Sequence, residues 1–353
     1  MLQREYARWL VIERITGYLN KRAHGHNNQY EMLNIFERFL LRMASVPRIL
    51  GVHTDAVFVS VTREHSLYRS FVSETNKKNL LRSRAATRAA SVYIQEAIEE
   101  FLHVQVRHAD VHATLEECVF RCEDFTRTLP QERIDALFRR ARMHDMMDRE
   151  DIVTTITTML LRYACILCRG QQWNLPREWY EFVHAEYDVS IEAFASPINS
   201  QLMLIDDGTQ FCSLFPDTDA VFGSLGSVFT LQPEHVEGRT VAANPPYVIE
   251  IMDNASICIQ SWLAQARVCV LFNVVDWTDA KYYKDSMDSP YLVYEKQLAP
   301  GTHAYESSND HDIQKDARVK RIVAKFPTHV FVFTSSTPGT PDVYAPICAH
   351  YGV

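Results

Sequence analysis

The sequence predicts a chain in two parts: a mostly α-helical domain over residues 1–180, then an α/β domain over residues 181–353 built on a parallel, crossover-connected sheet. Three observations carry this. Apolar residues recur at helical spacing through the first half. The texture changes after Trp173-Asn174-Leu175-Pro176, which puts the boundary between residues 170 and 187. Beyond it, short apolar runs alternate with loops and helical stretches, the pattern of strand, crossover and parallel strand.

The first half justifies itself element by element. Leu2 to Leu19 places Tyr6, Trp9, Leu10, Ile12 and Ile15 at helical spacing, and Tyr30 to Met43 continues with Met32, Leu33, Phe36, Phe39 and Leu40. Ala85 to Val106 is alanine-rich and then carries Val92, Ile94, Ile98, Phe101 and Leu102. Pro130 opens another helix with Ile134, Leu137 and Phe138 on one side, and Ile152 to Leu167 is apolar enough to be central. Val57 to Val61 is the clear strand candidate of this half. In the second half, strands are expected at Val189–Phe194, Phe211–Phe215, Thr240–Ala243, Val268–Val275 and Val330–Phe333, and a helix at Val248–Ala266. Tyr282 to Ala317 is polar and reads as irregular loops or a lid over a site.

Composition narrows the class. Hydrophobic residues at 47% and charged residues at 23% describe a globular chain, not a disordered one. No apolar run reaches membrane-spanning length, and the charged start lacks a signal-peptide core, so an intracellular protein of nucleus or cytoplasm, without a membrane partner, is expected. A net charge of −8 argues against gripping long nucleic acid; positive charge must be concentrated locally. Eight cysteines make no framework: Cys118/Cys122 and Cys165/Cys168 lack paired zinc-knuckle spacing, so buried thiols and no metal are expected. His108 and His112 flank Asp110 without a third ligand, and His24-Gly25-His26 reads as a loop.

Four stretches could carry chemistry, and each falls at the C-terminal end of an expected strand, where open α/β sheets bind ligands. Glu192-Ala-Phe194-Ala195-Ser196-Pro197-Ile-Asn199 follows the first strand. Phe215-Pro-Asp217-Thr-Asp219, with Phe222-Gly223-Ser224-Leu225-Gly226, offers carboxylates for ribose hydroxyls, although its glycines are too sparse for a phosphate loop. Asn244-Pro245-Pro246-Tyr247 is stiff, because two prolines fix two φ angles and hold Asn244 extended. One amide and one aromatic ring on such a loop suit a flat heterocycle bearing an amine. Asn273-Val-Val-Asp276-Trp277 adds an indole that can stack. Singly, each is also an ordinary turn; their shared edge is the argument.

These residues, in order and spacing over about 185–335, resemble the phosphorylated-CTD-interacting factor family of cap-specific adenosine N6-methyltransferases. The resemblance implies a Rossmann-like methyltransferase domain behind a helical one, S-adenosylmethionine as cofactor, and capped RNA as partner. It implies methylation of the first transcribed, 2′-O-methylated adenosine. Asn244, Pro245, Pro246 and Tyr247 would be catalytic; Glu192, Phe194, Ala195, Ser196, Pro197, Asn199, Asp217 and Asp219 would line the cofactor pocket. Tyr247 stands where animal members have Phe, and no WW module precedes the helical half, so WW-mediated binding of the polymerase tail is not expected. A monomer is expected.

Trp277 and the basic stretch Lys77, Lys78, Arg82, Arg84, Arg88 are the substrate-facing candidates, with Lys77, Arg84 and Arg88 its core. The rival readings keep the chemistry on DNA adenine, internal RNA or a glutamine amide, or make the chain a catalytically silent RNA-binding relative.

Overall fold

The structure, a computed structural model, describes residues 1–23, 25–49, 55, 57–58, 65–103, 111–145, 148–167, 173–307, 321–336 and 341–351. It divides into two compact units, Met1–Leu129 with Met146–Gln171, and Pro130–Asp145 with Gln172–Val353.

The first unit gathers helices α1 (Leu2–Arg22), α2 (His26–Ile49), α3 (Ser66–Lys77) and α4 (Arg84–His103). Helix α1 turns Ile12, Ile15 and Leu19 inward at the expected spacing, and Phe36, Phe39, Tyr68 and Phe71 fill the space between α2 and α3. Buried charge accompanies this core. Glu5 accepts from Arg162 Nε and Nη2 at 2.7 and 2.6 Å, and Arg8 donates to Asp55 at 2.9 and 3.0 Å. Burial alone would raise the Asp55 carboxyl, but the Arg8 guanidinium and the Val57 N–H hold it well below the usual range.

The helical expectation for this unit is incomplete. A meander of three short antiparallel strands, β1 (Thr114–Glu116), β2 (Val119–Cys122) and β3 (Phe125–Thr128), interrupts the helices. Its first turn puts Glu117 and Cys118 both at positive φ (44° and 69°), a two-residue hairpin without the glycine or asparagine that signals one. Val57 and Phe58 are buried but in no strand; the rest of that expected strand lies outside the described residues, as do His108 and Asp110.

Helix α5 (Gln131–Met143), grouped by its sequence with the helical half, belongs to the second unit. Helix α6 (Arg149–Ala164) returns to the first, its N-cap Asp148 accepting from the Glu150 and Asp151 N–H groups at 2.7 and 3.2 Å. The second unit then runs through β4 (Trp173–Asn174), α7 (Arg177–Tyr187), β5 (Val189–Ala195), α8 (Leu202–Ile205), β6 (Gln210–Ser213), α9 (Pro216–Asp219) and β7 (Arg239–Ala243). It continues with α10 (Ile249–Gln265), β8 (Val268–Val275), α11 (Lys281–Met287), β9 (Leu292–Leu298), β10 (Ala304–Ser307), β11 (Arg321–Val323) and β12 (Thr328–Thr334).

Six strands form one sheet in the order β6-β5-β7-β8-β12-β9. The β5–β6, β5–β7 and β7–β8 pairs are parallel, whereas β12 is antiparallel to both neighbours. One face packs on α10 through Met252, Ile259 and Trp262; the other packs on Trp179, Tyr180 and Val183 of α7. The inner strands are apolar on both faces because helices cover both. From β5 the chain passes to β6 on one side and only then crosses to β7 on the other, so β5 and β7 flank a switch point of the kind beyond whose carboxyl ends open α/β sheets bind ligands. Of the stretch 282–317, residues 308–317 lie outside the described residues, and 282–307 are less irregular than their polarity implies: β9 is an edge strand whose exposed Glu295 and Lys296 protect that edge while its backbone pairs with β12.

Among the described residues, no helix is long and apolar enough to cross a membrane, and no group of three metal-ligating side chains occurs. The seven described cysteines are free thiols. Burial raises Cys122 to about 11 and Cys212 to about 12, which makes them poor nucleophiles.

Candidate active site

Because β5, β6, β7 and β8 run in one direction, the loops after Ala195, Ser213, Ala243 and Val275 emerge on one edge of the sheet. The four stretches singled out in the sequence therefore share that edge.

At its centre, buried Val241, Ala242 and Ala243 deliver Asn244, which is 9% exposed. Its side-chain Nδ2 donates to the Trp173 carbonyl at 3.4 Å, and its Oδ1 is buried without a hydrogen-bond partner. A buried acceptor left open is uncommon, and it needs an incoming donor to be satisfied. The Pro246 carbonyl accepts the Val248 N–H at 2.7 Å, while no backbone N–H of the described residues bonds to the Pro245 carbonyl. Tyr247 is half-buried, with its ring edge-on to Tyr305 and Phe326 at 6.1 and 5.6 Å. Its hydroxyl meets that of Tyr305 at 2.6 Å. Burial, then the neighbouring phenol, pushes Tyr247 well above its ordinary value, so it is a neutral donor. Trp173 lies over Tyr305 in a stacked arrangement at 6.3 Å.

The β5 loop is held from within. Ser196 N–H and Oγ both reach Asn199 Oδ1, at 2.7 and 2.8 Å, which closes Ser196-Pro197-Ile198-Asn199 into a tight, buried turn. Phe194 and Ala195 are half-buried at its mouth. Glu192 departs from its expected part as a pocket-lining contact. It is 1% exposed, and its oxygens accept from Asn174 Nδ2, Ser200 Oγ (2.8 Å) and the Gln201 N–H (3.1 Å). Its carboxylate organises the loop, leaving no open oxygen for a ligand. Burial raises the Glu192 carboxyl, while these hydrogen bonds pull it the other way.

The acidic loop divides likewise. Asp217 is exposed, but Asp219 is fully buried and accepts from Thr218 Oγ1 at 2.8 Å. Gly223 sits at φ +95°, and a Cβ there would lie 2.9 Å from Arg140 Nη1. Beyond β8, Trp277 is 39% exposed, whereas Asp276 is buried against Gln297.

Lys77, Arg84 and Arg88 belong to the first unit, where all three are exposed and make no ion pair among the described residues. Lys78 is paired with Glu31, and Glu74 is taken up by Arg38 and Arg42 at 2.7 and 2.9 Å. Glu74, the acid nearest the stretch in sequence, is thus neutralised by other arginines.

Sequence reasoning missed Trp173, Asn174 and Tyr305, which carry no motif. It also missed Arg133 and Arg140, for which a signal existed. Both lie on the apolar face of α5 with Leu137 and Ala141, at helical spacing, where an unexplained arginine implies a partner. Arg133 donates to the Ser200 carbonyl, and Arg140 donates to the Thr209 and Asp206 carbonyls at 2.9 and 3.0 Å. Burial lowers Arg133 to about 10, still charged at neutral pH.

Residues 133–308, from α5 to β10, match the family described as phosphorylated CTD interacting factor 1 WW domain. A Mus musculus protein named mRNA (2′-O-methyladenosine-N(6)-)-methyltransferase is 42% identical over 151 residues, covering 42% of this chain and 20% of the relative. A Homo sapiens protein of the same name is 42% identical over 84 residues, covering 24% of this chain and 11% of the relative. The chain therefore spans a minor part of the length of the curated relatives it matches. Among solved structures, a type I restriction-modification methyltransferase subunit from Streptococcus thermophilus aligns over 94% of this chain and 85% of its own at 8% identity. Its TM-score of 0.28 is too low to carry any argument. On the family match and the identity of its curated relatives, the chain belongs to the phosphorylated CTD interacting factor 1 family.

Proposed function

We propose that this chain is an S-adenosylmethionine-dependent RNA (adenosine-N6-)methyltransferase, acting on the 2′-O-methyladenosine next to an mRNA cap. The observation that carries the reading is the orphaned, buried Asn244 Oδ1 on a proline-stiffened loop beside a half-exposed aromatic ring. The second unit is read as a Rossmann-like methyltransferase domain, supported by its sheet order and the switch point between β5 and β7. The residues fit the cofactor: the exposed Asp217 at the end of β6 can take ribose hydroxyls, and half-buried Phe194 and Ala195 stand at the carboxyl end of β5, at the switch point. Bound there, the sulfonium supplies a methyl group on a good leaving group.

The chain's own residues do the rest by orientation. Adenine's exocyclic nitrogen is weakly nucleophilic because its lone pair is delocalised into the ring. Asn244 Oδ1 accepts one of its N–H bonds and the Pro245 carbonyl accepts the other, which draws the nitrogen towards a tetrahedral geometry. Both hydrogen bonds strengthen as positive charge develops on nitrogen, so they favour the transition state over the ground state. The Tyr247 ring stacks on the base, a contact of about 1–3 kcal/mol. In the first unit, Lys77, Arg84 and Arg88 offer exposed positive charge to a short capped end, which needs few phosphate contacts.

The test is nucleoside mass spectrometry after incubation with labelled cofactor and, separately, capped RNA, uncapped RNA beginning in adenosine, and DNA. N6-methylation confined to the capped RNA supports the reading, and methylation of DNA or uncapped RNA alone replaces its substrate. Asn244→Ala should bind the cofactor normally yet transfer methyl at least about a hundredfold more slowly. Full turnover in that variant would sink the assignment.

A further inference from the structure

The Tyr247 hydroxyl opens a chain of hydrogen bonds whose far end fixes every proton in it. His303 Nδ1 lies 3.1 Å from the Ala299 carbonyl, which can only accept, so Nδ1 carries the proton and Nε2 is an acceptor. Thr328 Oγ1, 2.7 Å from Nε2, must therefore donate to it. Thr328 Oγ1 then accepts from the Tyr305 hydroxyl at 2.7 Å, and Tyr305 accepts from the Tyr247 hydroxyl at 2.6 Å. The chain runs one way, from the motif loop through β10 and β12 to the turn after β9. His303 and Thr328 are fully buried and Tyr305 is 1% exposed, so water does not compete for these bonds. Burial also lowers the His303 imidazole, which keeps it neutral and its tautomer fixed.

Without its hydroxyl, the Tyr247 ring would keep its apolar packing and its edge-on contacts with Tyr305 and Phe326, which are not directional as a hydrogen bond is and tolerate sliding and tilting. We propose that Tyr305, Thr328 and His303 are positioning residues for the target base: they anchor the Tyr247 hydroxyl, and so set the plane and lateral position of the ring on which the adenine stacks relative to Asn244 Oδ1. This inference rests on the proposed methyl transfer to adenosine. It adds the residues that determine how accurately the amine meets its acceptor.

A double-mutant cycle tests it. Tyr247→Phe and Thr328→Val each break the chain, the first at its start and the second in its middle. Each single variant should lower kcat about fivefold to tenfold, as expected for one hydrogen bond of positioning, with the KM for cofactor unchanged. The double variant should be no slower than the slower single, because both remove the same anchor. Thr328→Ser keeps the hydroxyl and should restore the rate, and Tyr305→Phe should behave as Thr328→Val if the latter folds poorly. Thr328→Val slowing transfer by the same factor in the wild-type and Tyr247→Phe backgrounds would show an effect that bypasses the ring and overturn the inference. So would singles that lose stability but keep kcat. A wild-type chain that makes no N6-methyladenosine overturns the functional reading itself, and is told apart because it fails before any substitution is made.

Discussion

Replacing Glu192 tests whether a carboxylate that touches no ligand shapes the site. Its Oε2 accepts from Ser200 Oγ at 2.8 Å, the Gln201 N–H at 3.1 Å and the Leu202 N–H at 3.4 Å, while Oε1 accepts from Asn174 Nδ2. Glu192→Ala strands two backbone donors in a buried loop and deprives buried Arg133 of a nearby negative charge. At about 1–3 kcal/mol for each stranded donor, with partial relaxation, the loss should be about 3 kcal/mol. Glu192→Gln keeps the three bonds at Oε2 but turns an amide NH2 towards Asn174 Nδ2. Asn174 cannot flip in response, because its Oδ1 already accepts from the Leu175 N–H at 2.9 Å and the Tyr180 hydroxyl at 2.8 Å. That variant should lose about 1–2 kcal/mol. Urea unfolding followed by tryptophan fluorescence reads this unit selectively, since Trp173, Trp179, Trp262 and Trp277 lie in it and Trp9 alone lies in the other. The carboxyl is raised above its ordinary 4.5 in the folded state, so its protonated form contributes stability that is present below that value and lost as pH rises through the folded one. The gap between wild type and Glu192→Gln should therefore narrow with rising pH. An alanine variant within about 1 kcal/mol of wild type, or a glutamine variant as unstable as alanine, would refute the reasoning.

Three further outcomes follow from the same contacts. Gly223→Ala places a side chain at φ +95° and 2.9 Å from Arg140 Nη1, and should cost about 1–2 kcal/mol or more by the same fluorescence assay. Glu5→Leu leaves the Arg162 guanidinium buried without its carboxylate, and should destabilise the first unit by about 3–5 kcal/mol, read by circular dichroism and little changed by salt. Arg84→Glu with Arg88→Glu should weaken capped-RNA binding and flatten its dependence on salt by about two units of slope; an unchanged slope removes these residues from the RNA surface.

The sheet edge was legible because apolar strands and stiff turns have local signatures. Val268 to Val275 is rich in valine and apolar but for Asn273, and Asn244-Pro245-Pro246 has the stiffness of a rigid strand end. What stayed hidden depends on partners distant in sequence. Glu192 looks like a ligand-facing acid until Asn174 and Ser200 close on it from 18 and 8 residues away. Strand β9 looks like a polar loop because an edge strand needs only its backbone to pair. The meander at residues 114–128 has strands too short for periodicity to register, and its turn uses Glu117 and Cys118 at positive φ. Arg133 and Arg140 break the apolar face of α5, and only the loop carbonyls they satisfy explain why.

The motif loop shows how a site can be specified by what is left over. Asn244 Nδ2 is taken up by Trp173, the Pro246 carbonyl by Val248, and the Tyr247 hydroxyl by Tyr305. Two prolines contribute no N–H at all. What remains is an acceptor, Asn244 Oδ1, buried and unsatisfied, next to a carbonyl on a residue that cannot move. A set of acceptors with no donor beside it favours a group bearing two N–H bonds and disfavours a ring carbonyl at the same position, which would meet it lone pair to lone pair. Adenine and hypoxanthine differ at that position, so under the proposed function the unpaired oxygen would discriminate between them. Under that reading the desolvation cost of leaving it open in the free protein, about 1–3 kcal/mol, would be relieved when the matching base arrives. Fixing the ring and the amide from behind, through buried partners, keeps that acceptor aimed while nothing is bound.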